Sequence, residues 1–147
     1  MTVLMVDDSA EIRERLTAML GEVPGVEIVA QAATIAEAIV AVHRLKPDVV
    51  ILDLHLPDGN GLEVLRLVQR EQIQTRVIVL TNYAYPQYEK RVMAAGAYAF
   101  LNKARDFIRV ADLVWSATTQ ALSPASARLA TTQALILGSG APAAKPV

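Results

Sequence analysis

The chain has no cysteine among its 147 residues, which excludes disulfides and thiolate-bound metal centres. It also lacks an excess of either charge. Against 15 Asp and Glu stand 14 Lys and Arg, a formal net charge of −1, so nothing favours a nucleic-acid or anionic-membrane surface. No apolar run approaches the roughly 20 residues that cross a bilayer. Residues 1–6 lead straight into Asp7-Asp8, without the basic and then apolar stretches of a secretory leader. These absences make a soluble cytoplasmic protein the expectation, with neither nucleic acid nor membrane as partner. Apolar residues are plentiful: at 53% hydrophobic, the chain can bury a core of its own and is expected to form one domain with an appendage.

Strand and helix patterns alternate along it. Residues 3–6 are a continuous apolar run, as in a strand covered on both faces. Ile12, Leu16, Met19 and Leu20 recur at helical spacing until Gly21. Residues 26–30 predict a second strand, and Thr34 with Glu37 three residues on predicts a capped helix carrying Ile35, Ala38, Ile39, Val42 and Leu45. Pro47-Asp48 ends it before a third strand at 49–52. A Pro57-Asp58-Gly59-Asn60-Gly61 loop precedes a helix marked by Leu62, Leu65 and Val68. Residues 77–80 predict a fourth strand, Val92, Met93 and Ala95 a short helix ended by Gly96, and residues 97–101 a fifth strand. Asp106 is placed to cap a last helix bearing Phe107, Val110, Leu113, Val114 and Ala117.

Such repetition implies an α/β fold, a doubly wound parallel sheet of flavodoxin-like (βα)5 type with strand order 2-1-3-4-5. The domain is expected over residues 1–121. Residues 122–147 turn to Ala, Pro, Ser, Thr and Gly; a short weak helix from Ser123-Pro124 and a disordered end over 138–147 are expected there.

Polar groups directly follow four of the strand-like runs: Asp7-Asp8, Asp53, Thr81 and Lys103. The carboxyl ends of parallel strands lie side by side, and ligands bind there. Three carboxylates, a hydroxyl and an ammonium therefore meet at one sheet edge, a set suited to a divalent cation with a phosphoryl group.

With Leu52-Asp53 and the 57–61 loop in the right order among these residues, the chain resembles the receiver domain of two-component response regulators over about residues 1–120. The segment from Thr81 to Lys103 is similar to receivers that precede helix-turn-helix output domains. The resemblance implies that Asp7, Asp8, Asp53 and the backbone carbonyl of His55 hold Mg2+. It implies that Asp53 accepts a phosphoryl group, that Lys103 and Thr81 bind its oxygens, and that Thr81 and Phe100 form the switch. The implied donors are a histidine kinase or histidine phosphotransfer protein, and the output is contact with an unknown downstream protein through roughly residues 86–117. A weak homodimer through that fourth-helix to fifth-helix face fits the same expectation, and no turnover of an external substrate is expected.

Several positions depart from the family pattern. Asn82 stands where a small residue is common, Phe100 brings no hydroxyl, and Ala104 replaces a frequent Pro, leaving the isomer of the Lys103–Ala104 bond open. His55 and Tyr83, each two residues past a site residue, are expected to overhang the pocket. Tyr83, Tyr85 and Tyr88 are read either as an exposed contact patch or as helix-entry packing. His43 is read as a surface residue far from any carboxylate, and Trp115 as packing at the edge of the last helix or marking a partner surface. Two other functions fit these residues less well. A haloacid-dehalogenase-type phosphatase also uses an aspartyl nucleophile but wants a second Asp where His55 stands, and no cap domain is visible. A passive interaction module would lack a site residue, and none is missing. The sequence reads either as a naturally stand-alone receiver or as a truncated one; the alanine-rich, proline-containing residues 122–147 make a stand-alone receiver the expectation.

Overall fold

The structure is a computed structural model and describes residues 1–121. Everything expected of residues 122–147 lies outside the described residues. One five-stranded parallel sheet organises the rest, built from β1 (Thr2–Val6), β2 (Glu27–Ala32), β3 (Val49–Leu52), β4 (Arg76–Thr81) and β5 (Ala99–Asn102). Its spatial order is 2-1-3-4-5, as the alternating pattern predicts. Between strands run α1 (Ala10–Leu20), α2 (Ile35–Leu45), α3 (Leu62–Arg70) and α4 (Pro86–Ala94), followed by α5 (Arg109–Ala121). The helix α5 begins in the compact unit Met1–Ala111 and continues into a second unit, of which it is the only described element.

The central strands are apolar because both faces are covered. Every residue of β3 and the last four of β1 are buried, as are Val77 to Leu80 of β4. Register then fixes where the strands end. Val6 pairs with Leu52, Leu52 with Val79, and Thr81 with Asn102. The ladder runs one residue further at each end: Asp7 N–H donates to the Ala32 carbonyl (3.0 Å), Asp53 N–H to that of Val6 (2.9 Å) and Lys103 N–H to that of Thr81 (2.8 Å). The polar residue after each strand is thus held by backbone bonds before its side chain does anything.

Several boundaries differ from the sequence expectation. β2 runs to Ala32 rather than residue 30, because its pairing with β1 continues to Val6 despite the polar Gln31. β5 starts at Ala99 rather than 97, since Ala97 N–H is taken by the Val92 carbonyl of α4. α4 starts at Pro86, whose fixed φ suits a first helical position. Asp106 does not cap α5: the helix begins three residues later, and Asp106 Oδ2 instead accepts from Asn102 N–H at 3.0 Å.

Caps tie the loops at the sheet's carboxyl edge to the helices. Ser9 Oγ accepts from Ile12 N–H (3.2 Å) at the start of α1. At α2, Thr34 Oγ1 accepts from Glu37 N–H (3.1 Å), and Glu37 reaches back to Ala33 N–H (2.7 Å), one residue before the usual capping-box partner. The remaining first-turn donors, Ile35 and Ala36, bond to the Asp58 carboxylate at 2.8 and 3.1 Å. Asp58 sits in a two-residue hairpin, His55–Leu56 against Gly59–Asn60, that follows Asp53. Gly61 closes this loop by donating to the Leu54 carbonyl (2.7 Å), and a Cβ there would be driven into the Asp53 carbonyl oxygen.

The Ile35 N–H above all, with that of Ala36, holds the Asp58 carboxyl below its ordinary value of 3.8 against a smaller effect of desolvation. A carboxyl lowered by folding stabilises the fold above its unfolded value, and that contribution disappears as pH falls through the folded one. Asp58→Ala should therefore lower the thermal midpoint at neutral pH, and the gap to wild type should narrow as pH falls below the ordinary value of 3.8. A gap that persists unchanged in acid would contradict this role.

Candidate functional site

The register above brings four strand ends together. Asp7 and Asp8 leave β1, Asp53 leaves β3, Thr81 ends β4 and Lys103 leaves β5. The Lys103 ammonium bridges two of the carboxylates, donating from Nζ to Asp7 Oδ2 at 2.6 Å and to Asp53 Oδ2 at 3.0 Å. All three groups are buried, at 8%, 3% and 6% exposure, so these contacts form largely out of water. The free oxygens are also held. Asp7 Oδ1 accepts from Ser9 N–H (2.9 Å) and Asp53 Oδ1 from His55 N–H (3.3 Å). Arg13 Nη1 donates to the Asp7 carbonyl (2.5 Å), fixing the turn from β1 into α1.

Carboxylate oxygens of Asp7, Asp8 and Asp53 lie within 4.8 Å of one another, with Asp8 the exposed member. Hard oxygen donors at this spacing can hold a divalent cation. Burial pushes the Asp53 carboxyl above its ordinary value, outweighing the Lys103 charge and hydrogen bond, and the Asp7 charge adds to the rise. For Lys103 burial acts downward, but hydrogen bonds and charge from Asp7 and Asp53 win, and its ammonium is held above its ordinary value. The basin is thus one strongly held cation among acids that would otherwise repel.

Thr81 is fully buried, and its Oγ1 accepts from Tyr83 N–H at 3.1 Å. His55, Asn82 and Tyr83 line the mouth of a cleft of about 530 Å³ together with Arg15 of α1. The His55 and Tyr83 rings lie 4.1 Å apart, so both overhang the pocket as expected. From Tyr83 the rings continue to Tyr85 (6.4 Å) and Tyr88 (5.6 Å); Tyr83 and Tyr85 are exposed, and Tyr88 is half-buried. Phe100 pairs in register with Val79, two residues before Thr81, and packs half-buried against the core. The Lys103–Ala104 bond is trans. Trp115 is 47% exposed on α5.

One expectation needs correction. His43 is exposed, but it is not remote from acids: its Nε2 lies 2.8 Å from Glu71 Oε1, because the ends of α2 and α3 run side by side. The roles of Ser9 and Arg13 in holding Asp7, and of Asp58 in holding α2, went unread. Ser9 two residues after Asp7 and three before Ile12 was an available capping signal.

The response regulator receiver domain, as a family, matches residues 3–114 of this chain. The chain belongs to that family. This receiver is 36% identical over 101 residues to the DNA-binding transcriptional activator DevR/DosR of Mycobacterium tuberculosis, covering 69% of the chain and 46% of that protein. It is equally similar, 36% over 101 residues, to the response regulator GacA of Pseudomonas aeruginosa, with 69% and 47% covered. The chain thus spans less than half the length of these curated relatives. Among solved structures, the response regulator domain of Thermotoga maritima CheB superposes with a TM-score of 0.71 at 30% identity, covering 82% of this receiver and 94% of that domain. A signal receiver domain from Vibrio parahaemolyticus reaches 0.77 at 28% identity, covering 93% and 97%. Within the receiver's described residues no helix is long and apolar enough to cross a membrane.

Removing the bridging ammonium leaves two buried carboxylates facing each other. Lys103→Met should lower unfolding stability by roughly 3 kcal/mol near neutral pH, measured by urea denaturation without divalent cations. Adding Asp53→Asn to it should recover part of that loss. Equal stability of Lys103→Met and wild type would show that the bridge is not formed.

Proposed function

We propose that this receiver, residues 1–121 with residues 122–147 appended, accepts a phosphoryl group on Asp53 in a Mg2+-dependent reaction and uses it to switch a protein-interaction surface. The observation that carries this reading is the buried Lys103 bridge between Asp7 and Asp53, with the Thr81 hydroxyl at the neighbouring strand end. The donor would be a phosphohistidine of a histidine kinase or histidine phosphotransfer protein.

The clustered carboxylate oxygens of Asp7, Asp8 and Asp53 fit a small cation that prefers oxygen, with the His55 carbonyl as a further ligand. When bound, Mg2+ supplies neutralising charge to phosphoryl oxygens. An Asp53 carboxylate oxygen attacks phosphorus; the new O–P bond forms as the P–N bond to the donor imidazole breaks, and the imidazole leaves with the electron pair. Lys103 exchanges its hydrogen bond to Asp53 for one to a phosphoryl oxygen. Burial acts against its charge, but the hydrogen bonds and charge of Asp7 and Asp53 hold its ammonium above its ordinary value before the transfer.

Thr81 would donate its hydroxyl proton to another phosphoryl oxygen, a bond that exists only in the phosphorylated state. The Thr81 hydroxyl oxygen itself accepts from Tyr83 N–H, so a shift of Thr81 draws on the segment entering α4 and on the Tyr83–Tyr85–Tyr88 rings. Phe100 would fill the space Thr81 vacates. Phe100 offers no hydroxyl, so the signal it passes on is one of packing. Output on the α4 side would recruit a downstream protein partner. The receiver itself turns over no external substrate in this reading.

Amide spectra test it. Mg2+ with beryllofluoride, a phosphoryl mimic, should shift the amides around Asp53, Thr81 and Phe100 in wild type and leave Asp53→Asn unchanged. A silent wild-type spectrum would instead favour a passive module, and steady hydrolysis of a small phosphoester would favour a phosphatase.

A further inference from the structure

The outer face of α2 takes no part in the site, yet it carries an apolar concave surface. It forms a shallow groove of about 410 Å³ between α2 and Ala30 of β2, the strand at the sheet's margin. Val40 is 56% and Leu45 39% exposed there. Two opposite charges flank these residues, Glu37 and Arg44. Glu37 is exposed and uses Oε1 to hold Ala33 N–H, while Arg44 makes no hydrogen bond or ion pair among the described residues.

The arrangement has an internal symmetry. About the midpoint between Val40 and Ala41, Val40 mirrors Ala41, Glu37 mirrors Arg44, and Ala36 mirrors Leu45. At 100° per residue the pair Glu37 and Arg44 lies along one line of the helix, with Val40 and Ala41 on either side of it. A two-fold axis level with that midpoint and lying beside the helix sets each of these six α2 residues opposite its mirror in a second copy. Two copies of α2 laid antiparallel across it would set each Glu37 beside the other copy's Arg44, twice over. Val40 would meet Ala41, and the small side chains of Ala36 and Ala41 would let the backbones approach.

We infer that the α2 face is a self-complementary surface at which two copies of this chain associate reversibly, independent of phosphorylation. A closed two-fold contact requires one patch that is complementary to itself, and this patch is. A different protein would have to supply both charges at the same separation by its own design. The helix is 11 residues long, about 16 Å, so the contact is smaller than the roughly 1,600 Å² of a stable complex, and the dimer is weak. Its charges set register and orientation, and the apolar centre supplies the attraction.

Sedimentation of the full chain without Mg2+ or phosphodonor, from about 10 µM to about 1 mM, tests the inference over the range of weak association. Wild type and Asp53→Asn should both show the same concentration-dependent dimer. Arg44→Glu and Glu37→Arg should each weaken it at least about tenfold, because each homodimer then holds two like-charge pairs. An equimolar mixture of the two variants should recover wild-type association, since all its cross-pairs have opposite sign. Thermal midpoints report folding, as Glu37→Arg also loses the Ala33 contact. If that variant does not fold, Arg44→Glu mixed with wild type should associate with intermediate strength. A monomer at every concentration overturns the inference and leaves the groove to a different partner. So does association that the single variants leave intact, or a mixture that fails to recover it.

Discussion

A single ammonium group holds the acidic edge of this sheet together. Lys103 lies 96 residues from Asp7 and 50 from Asp53 in sequence, yet its Nζ bonds to both. Two buried carboxylates at this distance repel, and their desolvation alone is costly. With the lysine between them the cluster holds a lower net charge and each acid has a donor. The arrangement stays poised, because burial still raises the Asp53 carboxyl despite its partner. A pocket that binds its own cation only partly offsets its acids, which is the electrostatic condition for attracting a second cation from solution.

Much of this was legible in the chain. Continuous apolar runs identify strands buried on both faces, their alternation with helical spacing implies a parallel sheet, and a polar residue directly after each run then falls at the common edge. Asp7, Asp53, Thr81 and Lys103 were readable on that logic alone. The division of labour proposed for them came from family resemblance: position and charge do not by themselves distinguish an acid proposed to accept phosphate from those proposed to hold a metal. What escaped the sequence was decided by tertiary structure. Gln31 interrupts an apolar run, but β2 continues past it because β1 supplies partners. Asp106 had the right spacing to cap a helix and instead met the backbone of Asn102. Asp58 looked like a turn residue, and the helix it caps lies over 20 positions away.

The loop after Asp53 links these observations. Its Asp58 holds the start of α2, its Gly61 packs against the Asp53 carbonyl, and its His55 reaches back both to the Asp53 carboxylate and to the Tyr83 ring. Backbone under the acidic pocket is therefore constrained from below by α2 and from above by the aromatic rim. Rigid placement of this kind is what phosphoryl transfer asks of a protein, since the chemistry depends on position and charge rather than on a further covalent step. The helix caps that build this loop face the sheet edge, while the opposite face of α2 carries the paired charges of the inferred dimer. Two surfaces of one helix thus serve separate ends.

The most direct measurement is the chemical identity of the modified residue. After incubation with Mg2+ and acetyl phosphate, borohydride reduction converts an aspartyl phosphate to homoserine, which peptide mass mapping locates. Homoserine at position 53 alone is the predicted result. Homoserine at position 7 or 8, or none in a protein that remains folded, would contradict the assignment of Asp53 as the acceptor.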